Sequence, residues 1–258
     1  MAEGYEILVV GALLAAGLIA SLLAERMRVP ALLLFLFVGM VLGSDATGLI
    51  AFSNYHLAQE IGVVALALIL FEGGLTSGLL EIRPVLASAV SLAVVGTAVT
   101  AIVVGLAAVW LLDLSTIDGL LVGAIVSATD GAAIFGLLRS SSLRRRLART
   151  LEGESGFNDP MAILLVLGFI ALAQEPGFGA LDFVELFVRQ IGIGLVVGTG
   201  LGLLAVRALG RMRLASTGLY PVASLCLAAL AFGAADALDG SGFLAVYLAG
   251  LILGTASV

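Results

Sequence analysis

The sequence predicts an all-α polytopic membrane protein, and three observations carry that prediction. Its 258 residues are 61% hydrophobic and 12% charged, with a mean hydropathy of +1.21, well outside the composition of soluble domains. The apolar residues gather into successive runs separated by short polar connections. The basic residues, all of them arginine, fall almost wholly into alternate connections.

Nine segments follow, at roughly 6–24, 30–43, 57–78, 85–111, 116–138, 150–173, 185–206, 215–234 and 241–257. The first is preceded by Glu3 and Glu6 instead of a basic stretch, and further spans follow it, so it reads as a retained span and not a cleaved signal peptide. The second is short and contains Val38-Gly39-Met40-Val41-Leu42-Gly43. The third holds Phe71-Glu72-Gly73-Gly74-Leu75, and the fourth is a continuous apolar run. The fifth is interrupted by Ser127-Ala128-Thr129-Asp130-Gly131, and the sixth by Glu154-Ser155-Gly156-Phe157-Asn158-Asp159-Pro160. The seventh contains Arg189. The eighth holds Cys226, a lone cysteine that reads as a packed thiol and supports neither a disulfide nor a thiolate metal site. The ninth is again short.

Eleven of the twelve arginines fall at 26 and 28, at 83, at 139, 144, 145, 146 and 149, and at 207, 211 and 213; Arg189 alone lies elsewhere. The positive-inside rule makes those four connections cytoplasmic and the N-terminus external, in a cell (inner) membrane. The run at 139–149 is a topology anchor, and no nucleic-acid partner is expected. Trp110, Tyr5, Tyr55 and Tyr220 lie near segment ends as an aromatic belt, His56 is read as solvated, and 33 glycines suit close helix packing in lipid.

Length arithmetic draws the sixth segment through its polar stretch. Met161 to Ala173 spans only ~20 Å, short of a hydrocarbon core of ~30 Å. Starting at Thr150 gives roughly 36 Å and puts Asp159 ~14 Å from the arginine-rich end. The alternative, an aqueous loop with Asp159 capping a helix that starts at Pro160, leaves the helix too short. A carboxylate at such depth costs at least ~2.5 kcal/mol and faces a partner or a water-filled cavity.

Separate counts bring other acids to similar depth: Asp130 lies ~12 Å from Leu138, and Glu72 ~9 Å from Gly78. Pro160 cannot donate to the Gly156 carbonyl, and Gly131, Gly153 and Gly156 lower helix propensity beside the polar residues. Irregular backbone at membrane depth is tolerated where it lines a cavity, and freed carbonyls are good ligands for small cations. Ser155 and Asp159 share a helix face, as do Glu154 and Asn158. Carboxylate, hydroxyl, amide and carbonyl oxygens suit a hard monovalent cation, and no His or Cys cluster points to a transition metal. Plainer roles stand beside these: Ser127 and Thr129 returning hydrogen bonds to their own helix, Glu72 bonding a neighbouring helix, and Asn158 orienting a crossing without touching an ion.

Ala249-Gly250-Leu251-Ile252-Leu253-Gly254 in segment nine resembles the glycine pattern of segment two, and the two segments run in opposite senses. That is what an inverted-topology repeat would leave in sequence, and chance similarity over six apolar or glycine positions is the alternative. On this reading the chain is the first repeat plus part of the second, with partners for segments three to six expected after Val258.

At these residues the chain resembles the monovalent cation/proton antiporter family, in its NhaP-type branch. The resemblance rests on Phe71–Leu75, on Ser127-Ala-Thr-Asp-Gly-Ala-Ala-Ile-Phe135 and on Gly153–Pro160, in order on three segments. It implies an inverted-repeat antiporter fold with discontinuous helices, about four more helices after residue 258, and a homodimer in lipid. It also implies no cofactor: only K+ or Na+ and H+ as transported ions. Carried over by position, Asp159 is the shared proton and cation carrier, with Thr129, Asp130 and Ser155 around a monovalent cation. Glu154 resembles a residue that pairs with a basic side chain from beyond residue 258. Asn158 resembles the asparagine of an Asn-Asp pair, which implies electroneutral exchange, and the motif wording is closer to potassium/proton members. Residues 1–258 by themselves are not expected to transport.

The coupling has a simple physical basis. Desolvation favours the protonated form of Asp159 and a bound cation the ionised form, so one carboxylate holds either species. The competing readings are an intramembrane serine protease-like enzyme using Ser155, which lacks a histidine on the same side, and a channel or purely structural bundle.

Overall fold

The computed structural model describes residues 2–27, 29, 31–43, 46–48, 53–129, 145–211 and 219–256. Among the described residues there are nine helices: α1 (Ala2–Met27), α2 (Ala31–Leu42), α3 (Tyr55–Ser77), α4 (Leu79–Leu112), α5 (Thr116–Val126), α6 (Arg145–Gln174), α7 (Ala180–Arg211), α8 (Leu219–Asp236) and α9 (Gly242–Thr255). By length and composition α3, α4, α6, α7 and α8 suffice to cross a membrane, and α2, α5 and α9 are shorter apolar helices. The chain divides into two compact units with a boundary at Gln59–Glu60. In the first, α1 packs on α2. The second contains the rest of α3 and α4 to α9.

The core of the second unit is α9. Residues 244–251 are all buried, against α7 and α8 and with contacts to α6. Apolar faces gain nothing from each other that lipid would not also supply, so helices associate in a membrane through close packing of small residues. The glycines of α9 do that here. A Cβ on Gly250 would run into the Phe71 carbonyl of α3, and one on Gly254 into the Leu75 carbonyl. On the opposing helix, Gly74 meets the backbone of Tyr247 and Leu251. On α7, a Cβ at Gly198 would lie 2.5 Å from the Ala245 carbonyl. The Phe71–Leu75 motif is thus in large part a helix-packing motif.

The corner from α3 to α4 turns at Gly78, whose φ of 66° is costly for any other residue. The first N–H of α4, on Leu79, donates to the Thr255 hydroxyl of α9 at 2.8 Å. Arg83–Val85, with Pro84, is a 3-10 turn and Leu92–Gly96 is π-helical, within an otherwise continuous α4. α4 then packs on α5 through Gly105, Gly119 and Gly123, where added methyl groups would collide with facing backbone.

Two expectations are corrected. The fifth segment was expected to run to residue 138, but its helix stops at Val126. The Ser127 N–H and hydroxyl both return to the Ala124 carbonyl, at 3.3 and 2.7 Å, tightening the last turn, and Ala128 and Thr129 are non-helical. Cys226, expected to be packed, is exposed on α8. α6, by contrast, runs unbroken from Arg145 to Gln174 with Pro160 inside it, as the length argument requires.

Candidate functional site

The end of α5 meets the middle of α6, and the meeting is made by polar side chains. Leaving the helix at Ser127 frees the backbone of Thr129 from intrahelical bonding. The Ser155 hydroxyl donates to the Thr129 carbonyl at 3.2 Å. The Thr129 hydroxyl lies 3.3 and 3.4 Å from the two carboxylate oxygens of Glu154. The Asn158 amide donates both to the Thr129 hydroxyl and to Glu154 Oε1, the latter at 3.1 Å.

Spacing on α6 explains the arrangement. Glu154 and Asn158 are four apart and stack along one face, so the carboxylate, through both oxygens, and the amide nitrogen reach the same hydroxyl. Asn158 is fully buried, and its Oδ1 has no hydrogen-bond partner among the described residues. An acceptor oxygen in that condition is costly unless a cation or donor meets it. Ser155, which is buried, uses its proton on Thr129 and keeps its lone pairs. The Thr129 carbonyl likewise retains a second lone pair. The cluster therefore offers several oxygens of the hard type that alkali cations prefer.

Of the residues selected from the sequence, the structure joins Thr129, Glu154, Ser155 and Asn158. Asp159 follows on α6, partly buried and near mid-helix. Pro160 is buried one turn beyond Gly156, so the Gly156 carbonyl receives no i+4 bond. Asp130 lies outside the described residues. Glu72 is exposed on α3, away from the face on which Gly74 meets α9, and is not brought to the Thr129 cluster. No group of three or more His, Cys, Asp or Glu suited to a metal ion occurs among the described residues.

Three features escaped sequence reasoning. Tyr247 of α9 is buried with its hydroxyl unbonded among the described residues; its ring occupies the space a Cβ on Gly156 would need and meets Phe157 edge-on, centroids 5.0 Å apart at 85°. Gly156 is therefore glycine for close approach, not to break a helix. Gly153 likewise admits Ala89 of α4. Arg149 bridges Glu152, at 2.5 Å, and Glu81 at the start of α4. Only the Arg149–Glu152 spacing of three carries a sequence signal.

Comparison with known proteins follows the same lines. The family model of the sodium/hydrogen exchanger, transmembrane, matches residues 10–258. The chain is 42% identical over 248 residues to the K(+)/H(+) antiporter NhaP2 of Shewanella sp. (strain ANA-3), covering 95% of this chain and 43% of that protein. It is 41% identical over 254 residues to the K(+)/H(+) antiporter NhaP of Alkalimonas amylolytica, covering 97% and 44%. The solved sodium proton antiporter MjNhaP1 from Methanocaldococcus jannaschii at pH 8 superposes with a TM-score of 0.78 and 26% identity, over 97% of this chain and 62% of that one. That likeness shows the antiporter fold expected from the sequence. The chain spans less than half the length of the curated relatives it matches.

Proposed function

This chain belongs to the sodium/hydrogen exchanger family, a family of transporters and not enzymes, and from that premise we propose that it serves exchange of a monovalent cation for a proton across the cell (inner) membrane. Asp159 carries either species, Thr129, Asp130 and Ser155 surround the cation, and Glu154 and Asn158 hold the geometry. The observation that supports this best is the junction of α5 with α6, where Thr129 is tied to Glu154, Ser155 and Asn158 immediately before Asp159. A serine nucleophile is disfavoured there, because the Ser155 proton is directed at a backbone carbonyl and not at a base.

Exchange follows from competition at one carboxylate. A cation arriving at Asp159 displaces its proton, and a proton arriving displaces the cation. Opposite fluxes are then coupled once the site opens to each face in turn. Asn158 is neutral, so one charge moves each way and the cycle generates no voltage. The higher identity to relatives named for potassium than to the structure named for sodium favours K+. The N-terminus lies outside, the arginine connections lie in the cytoplasm, residues 1–258 form one transmembrane antiporter domain, and the protein works as a homodimer in lipid.

Everted vesicles containing the full-length protein test this. Adding K+ to vesicles acidified inside should discharge the pH gradient, at a rate independent of membrane potential set by an ionophore for an untransported ion. No cation-driven discharge refutes exchange, and a strong voltage dependence refutes one-for-one stoichiometry.

A further inference from the structure

We propose that the Thr97 hydroxyl of α4 is a further ligand of the transported cation, closing the cluster of Thr129 and Asn158 from a third helix. This rests on the exchange reading above and adds to it a residue that lies outside every sequence motif. Thr97 is 3% exposed, and its hydroxyl has no hydrogen-bond partner among the described residues. Asn158 Oδ1 is in the same condition. Buried polar atoms of this kind are costly unless something meets them.

Backbone geometry explains why the hydroxyl is left over. Helical threonines commonly return their proton to a carbonyl one turn back. Thr76, Thr150 and Thr255 all do so, each to the carbonyl four residues earlier. For Thr97 that acceptor is the Ala93 carbonyl, which lies within the π-helical turn Leu92–Gly96, where hydrogen bonds run five residues and not four. Such turns are rare and gather at functional sites. The turn also keeps Thr97 facing inward. The buried face of α4 runs through Val85, Ala89, Ala93, Thr97, Ala101 and Gly105, and four-residue steps drift by about 40° each on an α-helix. A wider turn in the middle takes up part of that drift, and Thr97 is the one polar residue on the face.

Two counts give its depth. α4 and α6 run in the same direction, because Glu81 meets Arg149 and, further along both, Ala89 meets Gly153. Thr97 lies ~12 Å beyond Ala89, while Asn158 and Asp159 lie ~7.5 and ~9 Å beyond Gly153. α4 and α5 run in opposite directions, because Gly105 meets Gly119 and Ala101 meets Gly123. Four residues further along each helix from the second of these contacts stand Thr97 and Ser127, and Thr129 follows two residues later. Both counts put Thr97 in the layer where Thr129, Asn158 and Asp159 stand. A hydroxyl there offers neutral lone pairs of the hard kind that alkali cations take. Being neutral, it adds affinity and leaves the one-for-one exchange of charge at Asp159 unaltered.

Thr97→Val in the full-length protein separates a ligand from a packing residue, because the two roles move stability and binding differently. Removing an unbonded buried hydroxyl at nearly constant volume should leave the melting temperature in K+-free detergent unchanged or raised. The stabilisation gained on adding KCl in place of choline chloride should shrink, and half-saturating K+ in everted vesicles should rise about three- to tenfold. Thr97→Ser, which keeps the hydroxyl, should stay within about twofold of the parent. A lowered melting temperature without K+, an unchanged half-saturation, a loss of maximal rate alone, or serine as impaired as valine overturns the ligand role. KCl stabilisation that Thr97→Val removes, in a parent protein that exchanges nothing, refutes the functional reading while upholding Thr97 as a ligand. A parent that shows neither exchange nor a KCl-specific stabilisation overturns both.

Discussion

Replacing Thr129 by valine exchanges one hydroxyl for a methyl group of nearly the same volume, so the perturbation is confined to hydrogen bonding. The lost hydroxyl lies 3.3 and 3.4 Å from the two oxygens of Glu154, longer than the usual ~2.7–2.8 Å of O–H···O bonds, and amounts to one bifurcated bond to a charged group. Such bonds contribute ~1.5–3 kcal/mol at best geometry, and length together with the exposure of Thr129 brings this one toward ~1 kcal/mol. The buried Asn158 amide also loses an acceptor but keeps Glu154 at 3.1 Å, which raises the total to about 1–1.4 kcal/mol. If that energy organises the cation site, half-saturating K+ in everted vesicles should rise about five- to tenfold. Thr129→Ser, which keeps the hydroxyl, should stay within about twofold. An unchanged half-saturation in Thr129→Val, or Thr129→Ser as impaired as valine, would refute the argument that this hydroxyl joins α5 to the site.

Asp159→Asn should abolish K+-driven discharge of the pH gradient while the protein still reaches the membrane, because an amide cannot alternate between proton and cation; residual wild-type exchange would remove Asp159 from the carrier role. Gly250→Ala sets a methyl group against the Phe71 carbonyl of α3, and forced backbone separation of this kind costs about 1–3 kcal/mol, seen as a lowered melting temperature in detergent. Gly200→Ala, with open space around its Cβ, should leave melting unchanged or slightly raised; equal losses at both positions would show that helix approach at α9 is not limiting.

Parts of the site were legible because lipid penalises them individually. Glu154, Asn158 and Asp159 stand out in an apolar run wherever their neighbours lie, and length alone carries α6 through them. The end of α5 was not legible. The polar stretch Ser127–Gly131 marks an interruption in the run from Thr116 to Leu138 but not the residue at which the helix ends, because the stop at Val126 depends on Ser127 returning to Ala124 and on α6 receiving Thr129. The motif glycines were seen but misassigned: Gly156 and Gly153 look like helix breakers in one dimension, and contact with Tyr247 and Ala89 shows them to be points of close approach in an unbroken helix.

By itself, then, the sequence determined what each segment is: apolar enough to enter a membrane, and polar at the stretches that became the site. Transfer into lipid is a property of one segment at a time, and twenty successive residues suffice to read it. The tertiary structure alone decided which segments meet, since Leu, Val and Ile faces are no better satisfied by one another than by acyl chains. Partners are chosen by the fit of Gly74, Gly250 and Gly254 to facing backbone, and by a hydroxyl, an amide and a carboxylate that find each other across 25 and 29 residues of chain.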